Sequence, residues 1–147
     1  MKTPYTKKII ILQGVPASGK STYAKKLHEE NQNYVIVSRD NIRRARGNYW
    51  IPEQEDYITD IEVFCVEAAL RRNLIPIIDA TNLNEKFLSN WKSIADTYGA
   101  DIEYIKFEIE FEEALNRDKN REYPVGKEVL IRFFKNYFPD KLPKEYQ

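Results

Sequence analysis

Short aliphatic runs alternating with helix-patterned segments predict an α/β fold. The expected form is a parallel sheet of four to five strands with helices on both faces. Three observations carry that prediction. Residues 9–12 (IIIL), 34–37 (YVIV) and 74–79 (LIPIID) are too short and too aliphatic for surface helices. Each is followed by a stretch with apolar residues at helical spacing. The length of 147 residues fits one domain, 1–147, with enough apolar surface to form its own core.

The elements follow in order. Residues 9–12 read as a strand buried on both faces, ending at Gly14. Residues 21–30 read as a helix, with Tyr23, Ala24 and Leu27 inward. Residues 34–37 read as a second buried strand, and 41–47 as a short basic helix or loop. Pro52 with Glu53, Glu55 and Asp56 marks a helix start. The apolar face expected of that helix is Tyr57, Ile61, Phe64, Cys65, Ala68 and Ala69, with Cys65 as a small core residue. Residues 74–79 form a third strand, with Pro76 near its start because a central strand needs its N–H groups. Asn84 caps a helix that buries Leu88, Trp91, Ile94, Ala95 and Tyr98 and stops at Gly99. Residues 102–109 alternate Ile105, Phe107 and Ile109, the pattern of a strand at an edge or in a half-covered position. Residues 112–121 form a polar helix broken by Pro124, and 112–124 is expected to be a small helical lid. A final helix, 127–138, turns Val129, Leu130, Phe133, Phe134, Tyr137 and Phe138 inward.

Composition removes several classes of function. Lys plus Arg and Asp plus Glu both count 23, so any polyanion must meet a local basic cluster. One Cys and one His exclude an internal disulfide, a cysteine zinc cage and multi-His metal sites. Well inside a helix, His28 reads as structural. No apolar run approaches the ~18 residues of a membrane span, and four apolar residues after MKTPYTKK are too few for a signal-peptide core. With the single Cys this predicts a cytoplasmic location and no membrane partner. Nothing indicates an oligomer.

The chemistry is concentrated at the ends of the predicted strands, where parallel sheets bind ligands. Gly14, Val15, Pro16, Ala17, Ser18, Gly19, Lys20 and Ser21 match G-x-x-x-x-G-K-[ST] between a strand and a helix. Backbone N–H groups of such a loop cradle β- and γ-phosphates, aided by the helix N-terminus. Lys20 then neutralises the transferring phosphoryl group, and the Ser21 hydroxyl coordinates Mg²⁺. The architecture is therefore a P-loop NTPase-type sheet, with ATP and Mg²⁺ as expected ligands. No guanine-reading Asn-Lys-x-Asp is present.

Asp40 follows the second strand. A carboxylate there suits an alcohol acceptor, whose proton needs a base; its duller alternative is a cap on the helix it precedes. Arg39, Arg43, Arg44 and Arg46 fall within eight residues, followed by Tyr49 and Trp50. A cation beside Asp40 would hold an acceptor that carries its own phosphate, and the two aromatics could stack on bases. They could equally be a solvated basic loop and core aromatics. Asp79 ends an apolar strand, the placement of a Mg²⁺-holding acid, although Asp also begins turns. Thr81 and Asn82 continue that strand end. Arg117 and Arg121, four apart, would clamp donor phosphates, or else sit on a solvated face beside Glu113 or Asp118.

Together these residues resemble the 5′-kinase domain of bacteriophage-type polynucleotide kinase. The matching pieces are Gly14 to Thr22 (GVPASGKST), Arg39-Asp40 with Arg43, the TNLN run from Thr81 and Asn82, Arg117 with Arg121, and Val125 with Val129-Leu130. The resemblance implies ATP-dependent phosphorylation of a DNA or RNA 5′-hydroxyl end, a role in nucleic acid repair. By this likeness Asp40 is the general base, and Lys20, Arg117 and Arg121 serve the donor. Arg39, Arg43, Thr81, Asn82 and Val125 line the acceptor side, and Ser21 and Asp79 serve the metal. The sequence departs from the pattern in three places. Ala80 stands directly before the TNLN threonine where the family has an acid, which here is Asp79. Asn41 replaces an acid after the base, and residues 47–57 do not align. No Asp-x-Asp-x-Thr phosphatase motif is present, so a kinase alone is expected. Two other readings stay open: a kinase for a small-molecule hydroxyl (sugar, nucleoside or antibiotic), and a nucleotide-dependent switch.

Overall fold

A computed structural model describes residues 6–147. Residues 1–5, part of the amino-terminal stretch expected to be too short in apolar residues for a signal peptide, lie outside the described residues. Four parallel strands form one sheet: β1 (Lys8–Gln13), β2 (Tyr34–Ser38), β3 (Ile75–Asp79) and β4 (Asp101–Lys106). Their order is β2-β3-β1-β4. Six helices connect and cover them: α1 (Lys20–Glu30), α2 (Arg39–Arg46), α3 (Glu55–Arg71), α4 (Glu85–Tyr98), α5 (Phe111–Lys119) and α6 (Lys127–Tyr137).

The strand order places the binding site. From β1 the chain passes over β3 to reach β2, then returns and crosses β1 to reach β4. The connections that leave the adjacent strands β1 and β3 run in opposite directions, which opens a crevice between their carboxyl ends. The loop after β1 therefore sits at the switch point.

The register accounts for Pro76. On the β2 side the β3 ladder opens at Tyr34↔Ile75, whereas on the β1 side it opens only at Ile10↔Ile77. Pro76 stands just before the β1 pairing begins, where a missing N–H removes no ladder bond. The expected fourth strand is shortened to Lys106, although Phe107 still donates its N–H to Gln13 at 2.8 Å.

Three apolar clusters fill the layers. One face of the sheet packs Ile9, Ile11, Val37 and Ile78 against Val66, Leu70, Trp91 and Ala95. The other packs Ile10, Leu12 and Ile77 on Ala24. A separate cluster joins α5 and α6 through Phe111, Ala114, Leu130 and Phe134. That cluster fixes the carboxyl-terminal helices beside the crevice and brings Arg117 of α5, and Arg121 just past its end, to it.

Three expectations are corrected. β2 is an edge strand rather than one buried on both faces, and Ile36 is 37% exposed. α3 buries Ile58, Glu62, Val66, Ala69 and Leu70, while Tyr57 and Phe64 lie exposed. The reason is an ion pair: Glu62 turns inward to meet Arg39 at 2.9 Å, and that rotates the helix away from the purely apolar phase. In α6, Tyr137 is exposed while Leu130 and Phe134 carry the packing.

Candidate active site

The loop after β1 is shaped by two local demands. Gly14 has no room for a side chain, since a Cβ there would lie 2.6 Å from Ser18 Oγ and 3.1 Å from Phe107. Ala17 and Gly19 both take positive φ, 69° and 106°. Turns of this kind direct successive N–H groups into one concavity, a nest for anions. α1 begins immediately after, at Lys20, adding its positive terminus.

Lys20 crosses the mouth of this nest. Its Nζ donates to Gly14 O at 2.9 Å, Val15 O at 2.8 Å and Ser18 Oγ at 3.3 Å. Burial pulls its pKa down to about 8, against the opposing pull of the Asp79 and Asp40 carboxylates. The ammonium is thus held where charge is costly until an anion arrives.

Ser21 Oγ donates to Asp79 Oδ2 at 2.7 Å, joining the start of α1 to the end of β3. Burial raises the Asp79 pKa, while the Ser21 hydrogen bond and the Lys20 charge oppose that rise. Among the described residues no cluster of three His, Cys, Asp or Glu could form an all-protein metal cage. A hydroxyl and one carboxylate are hard oxygen donors, a set that fits Mg²⁺ completing its shell with water and phosphate oxygens.

Asp40 lies in the first turn of α2 and does not cap it. Ser38 does, accepting from Asn41 N at 3.2 Å. The Asp40 carboxylate projects into the cleft. Its Oδ1 accepts from Arg43 Nη1 at 2.9 Å and from the Tyr49 hydroxyl at 2.7 Å. Both donors hold the same oxygen. The Tyr49 hydroxyl is pushed up to about 12, by burial and then by the Asp40 charge, so it remains a proton donor.

Behind Asp40 stands a second layer. Glu55 binds Arg43 through both carboxylate oxygens, at 3.0 Å from Nε and 2.5 Å from Nη2. Burial works against the Glu55 charge, yet Arg43 holds its carboxyl below the usual range. Burial likewise lowers the Arg43 pKa, but Glu55 more than compensates and the net direction is upward. Arg39 lines the cleft while its guanidinium pairs with Glu62 at 2.9 Å and Glu55 at 3.3 Å. Arg39 and Arg43 therefore line the cleft with most of their donors already bound.

Asn82 is buried and acts as a brace. Its amide nitrogen donates to Leu12 O, Ile78 O and Ala80 O, and its oxygen accepts from Trp91 Nε1. It takes φ 49°, a strained value held by those bonds. Thr81 O accepts from Gly14 N at 3.0 Å, tying the TNLN turn to the phosphate loop.

On α5, Arg117 pairs with Glu113 at 2.6 Å and lies close against Gly19. Arg121 lies near enough to Lys20 and Asp79 to bear on both charges. Asp118, expected from the sequence only as an arginine partner on a solvated face, is buried; it accepts from Val125 N and Gly126 N at 2.9 Å each and from Arg121 Nη1 at 3.4 Å. It thereby sets the turn carrying Val125. Glu55 and Glu62 emerge only from the structure. A sequence signal did exist, because Ile58, Glu62 and Val66 share one helical phase, as do Phe111, Ala114 and Asp118.

One cleft of about 880 Å³ collects the phosphate loop, Arg39, Asp40, Arg43, Asp79, Thr81, Asn82, Arg117, Arg121 and Val125. Arg132 and Phe133 of α6, also absent from the sequence expectation, complete its wall. The parallel sheet, the phosphate nest at its switch point and a carboxylate facing that nest define a P-loop kinase-type domain.

Residues 9–139 match the family described as an AAA domain, and the chain belongs to that family. Over 93% of its length it is 28% identical to a provisionally named bifunctional polynucleotide kinase/RNA ligase of Autographa californica nuclear polyhedrosis virus. Over 88% it is 26% identical to an L-seryl-tRNA(Sec) kinase of Methanococcus maripaludis. A chain in the solved structure of the Pnkp1/Rnl/Hen1 RNA repair complex is similar over 97% of this chain, with a TM-score of 0.80 and 31% identity. The chain spans 22% of the viral protein, 52% of the archaeal one and 48% of that structure's chain. No helix among the described residues is long and apolar enough to cross a membrane.

Proposed function

We propose that this chain is an ATP-dependent polynucleotide 5′-hydroxyl kinase, transferring the γ-phosphoryl group of ATP to the 5′-OH end of DNA or RNA. One observation carries the reading. Asp40 shares the cleft with the phosphate nest, and both of its donors hold Oδ1. Oδ2 is thereby left to accept a proton from an acceptor hydroxyl. A nucleotide switch has no use for a base placed this way, and a phosphate acceptor would be repelled by it. The names of the viral and archaeal relatives, both kinases, support the class, and the RNA repair complex supports a polynucleotide acceptor.

The residues divide the work. The loop from Gly14 to Thr22 binds the donor phosphates through backbone N–H groups, and Lys20 neutralises the γ-phosphoryl oxygens. Arg117 of α5 and Arg121 of the turn that follows it serve the same phosphates. Ser21 and Asp79 would hold Mg²⁺, which would supply further neutralisation of phosphate charge. Asp40 takes the hydroxyl proton as the oxygen attacks phosphorus in line. The bond to the bridging oxygen breaks, leaving ADP and a 5′-phosphorylated end. Thr81 and Val125 border the acceptor. Catalysis is mainly positioning and charge stabilisation.

A small-molecule hydroxyl acceptor is the second reading. It is favoured by Arg43, whose donors are taken by Glu55 and Asp40 rather than left open for an acceptor phosphate. The test is label transfer from γ-labelled ATP. A 5′-hydroxyl oligonucleotide should be labelled while the same strand already bearing a 5′-phosphate is not. Label on nucleosides or sugars with none on the oligonucleotide would establish the second reading.

A further inference from the structure

Beside Asp40, cations and aromatic rings interleave. The Arg44 guanidinium lies over Tyr123 at 4.4 Å and over Tyr49 at 5.7 Å. The Arg43 guanidinium lies over Tyr49 at 5.5 Å and over Trp50 at 5.6 Å. The result is a five-member ladder, Tyr123–Arg44–Tyr49–Arg43–Trp50, with every contact inside the ~6 Å reach of a cation–π interaction. It joins the turn after α5 to the loop after α2 and passes directly beside the Asp40 carboxylate.

The ladder is not core. Its two ends, Trp50 and Tyr123, are 57% and 53% exposed, and Tyr49 is 36% exposed. Singly exposed rings such as Phe64 are ordinary, but contiguous open rings held in register by cations mark an interaction surface. Their support is built in. Arg46 Nη2 donates to Asn48 O at 2.6 Å and Tyr49 O at 3.2 Å, which fixes the loop that presents the rings. The charges are uneven along the ladder. Arg43 is neutralised by Glu55 and Asp40, whereas Arg44 pairs with no carboxylate among the described residues; its recorded partner is Asn41 Oδ1. In a chain whose total charges cancel, this is a local excess of positive charge framed by open π faces.

Resting on the kinase reading above, we propose that this ladder is the docking platform for the unpaired nucleotides adjoining the 5′ terminus. Trp50 and Tyr123, at the two ends of the ladder, each offer a face to a base of the strand, and Arg44 between them meets a backbone phosphate. A duplex hides its base faces within its own stack, so the chemistry selects single strands. A free nucleoside phosphate engages one rung at most, so the same chemistry favours a strand over a mononucleotide.

The test uses the intact protein and a 5′-hydroxyl oligothymidylate of about eight nucleotides, within the span that single-strand grooves cover. Trp91 is buried and Trp50 exposed, so base stacking should quench the Trp50 fluorescence alone. The binding titration is read without ATP and therefore does not depend on transfer. Trp50→Phe should lose the quenching but keep the preference for the oligonucleotide over adenosine 3′-monophosphate as acceptor. Trp50→Ala and Tyr123→Ala should each lower that preference about fivefold or more, the usual worth of one base–aromatic stack. Quenching with no transfer to any 5′-hydroxyl strand would sustain the platform and sink the kinase reading. Efficient transfer with no quenching and an unchanged preference in both alanine variants would overturn the platform and leave the kinase reading standing. Equal quenching by a blunt duplex would also overturn it.

Discussion

On the proposed reading, the donor and acceptor halves of the cleft are built by opposite means. The donor half is backbone: a nest of N–H groups fixed by Gly14 and Gly19, closed by the buried Lys20, and tied to β3 through Ser21 and Asp79. The acceptor half is side chains. Asp40 is held by Arg43 and Tyr49, Arg43 by Glu55, and Arg39 by Glu62, with exposed rings at the rim. Phosphates are alike in every donor nucleotide, so a backbone cradle suffices for them. Acceptors differ, and discrimination among them needs side chains whose charges and shapes can be set individually.

The sharpest way to break this contrast is at Lys20. Lys20→Met should reduce phosphoryl transfer on the order of a thousandfold or more, the scale of losing a transition-state charge partner. It should also stabilise the free protein at pH 7. Because the folded-state pKa is depressed to about 8, the ammonium opposes folding below that pH, and the opposition fades as pH rises from about 8 toward 10.5. Thermal melts of both proteins across that window check the sign. Donor phosphates favour the ammonium, so ATP affinity should be greatest below about pH 8 and weaken above it, with proton uptake on binding. Calorimetry at pH 8.5 in two buffers of different ionisation enthalpy reads that uptake.

Removing acceptor-side scaffolding should behave differently. Arg39→Met leaves the Glu62 carboxylate buried and unpaired, which costs about 3–5 kcal/mol by denaturant unfolding. Restoring the balance with Glu62→Leu in the same chain should recover most of that loss. If Arg39 instead serves the acceptor directly, the double variant would regain stability while staying inactive.

Asp118→Ala tests the hinge between the halves. It frees Val125 N and Gly126 N and releases Arg121. The expected cost is about 1–3 kcal/mol of stability, with a rise in KM for the acceptor as well as the donor. A change in donor KM alone would place Asp118 wholly on the ATP side.

The smallest expected effect is at Tyr49. Tyr49→Phe keeps the ring between Arg43 and Arg44 but removes one hydrogen bond to Asp40. A loss in kcat of roughly tenfold, with ATP affinity unchanged, matches one hydrogen bond to a charged group. An unchanged kcat would show that Arg43 alone suffices to orient the carboxylate.

Where backbone sets the structure, the sequence was readable, because G-x-x-x-x-G-K-[ST] encodes local geometry. The alternation of strand and helix, the caps at Asn84 and Gly99, and the place of Pro76 were legible for the same reason. The acceptor side was legible only as a set of residues. Asp40 and Arg43 lie three apart on one helix, so their pairing could be read from spacing. Glu113 and Asp118 were legible as arginine partners and do pair with Arg117 and Arg121, but the bonds from Val125 N and Gly126 N to Asp118, and the roles of Glu55 and Glu62, arise through a turn or tertiary contacts that spacing does not show. The helical phase of α3 was misread because an inward ion pair outweighed the apolar count. Asn82 was placed with the acceptor residues, yet its side chain is spent bracing β1, β3 and α4.

The most direct test of the account is a single-turnover measurement with ATP, Mg²⁺ and a 5′-hydroxyl oligonucleotide, comparing the wild type with Asp40→Asn. The amide keeps the shape and the hydrogen-bonding size of the side chain but cannot accept the proton. The account predicts a drop in the transfer rate of about a hundredfold or more, with ATP binding and thermal stability close to wild type. Transfer by Asp40→Asn at near the wild-type rate would contradict the assignment of Asp40 as the base, and with it the alcohol-acceptor reading of the cleft.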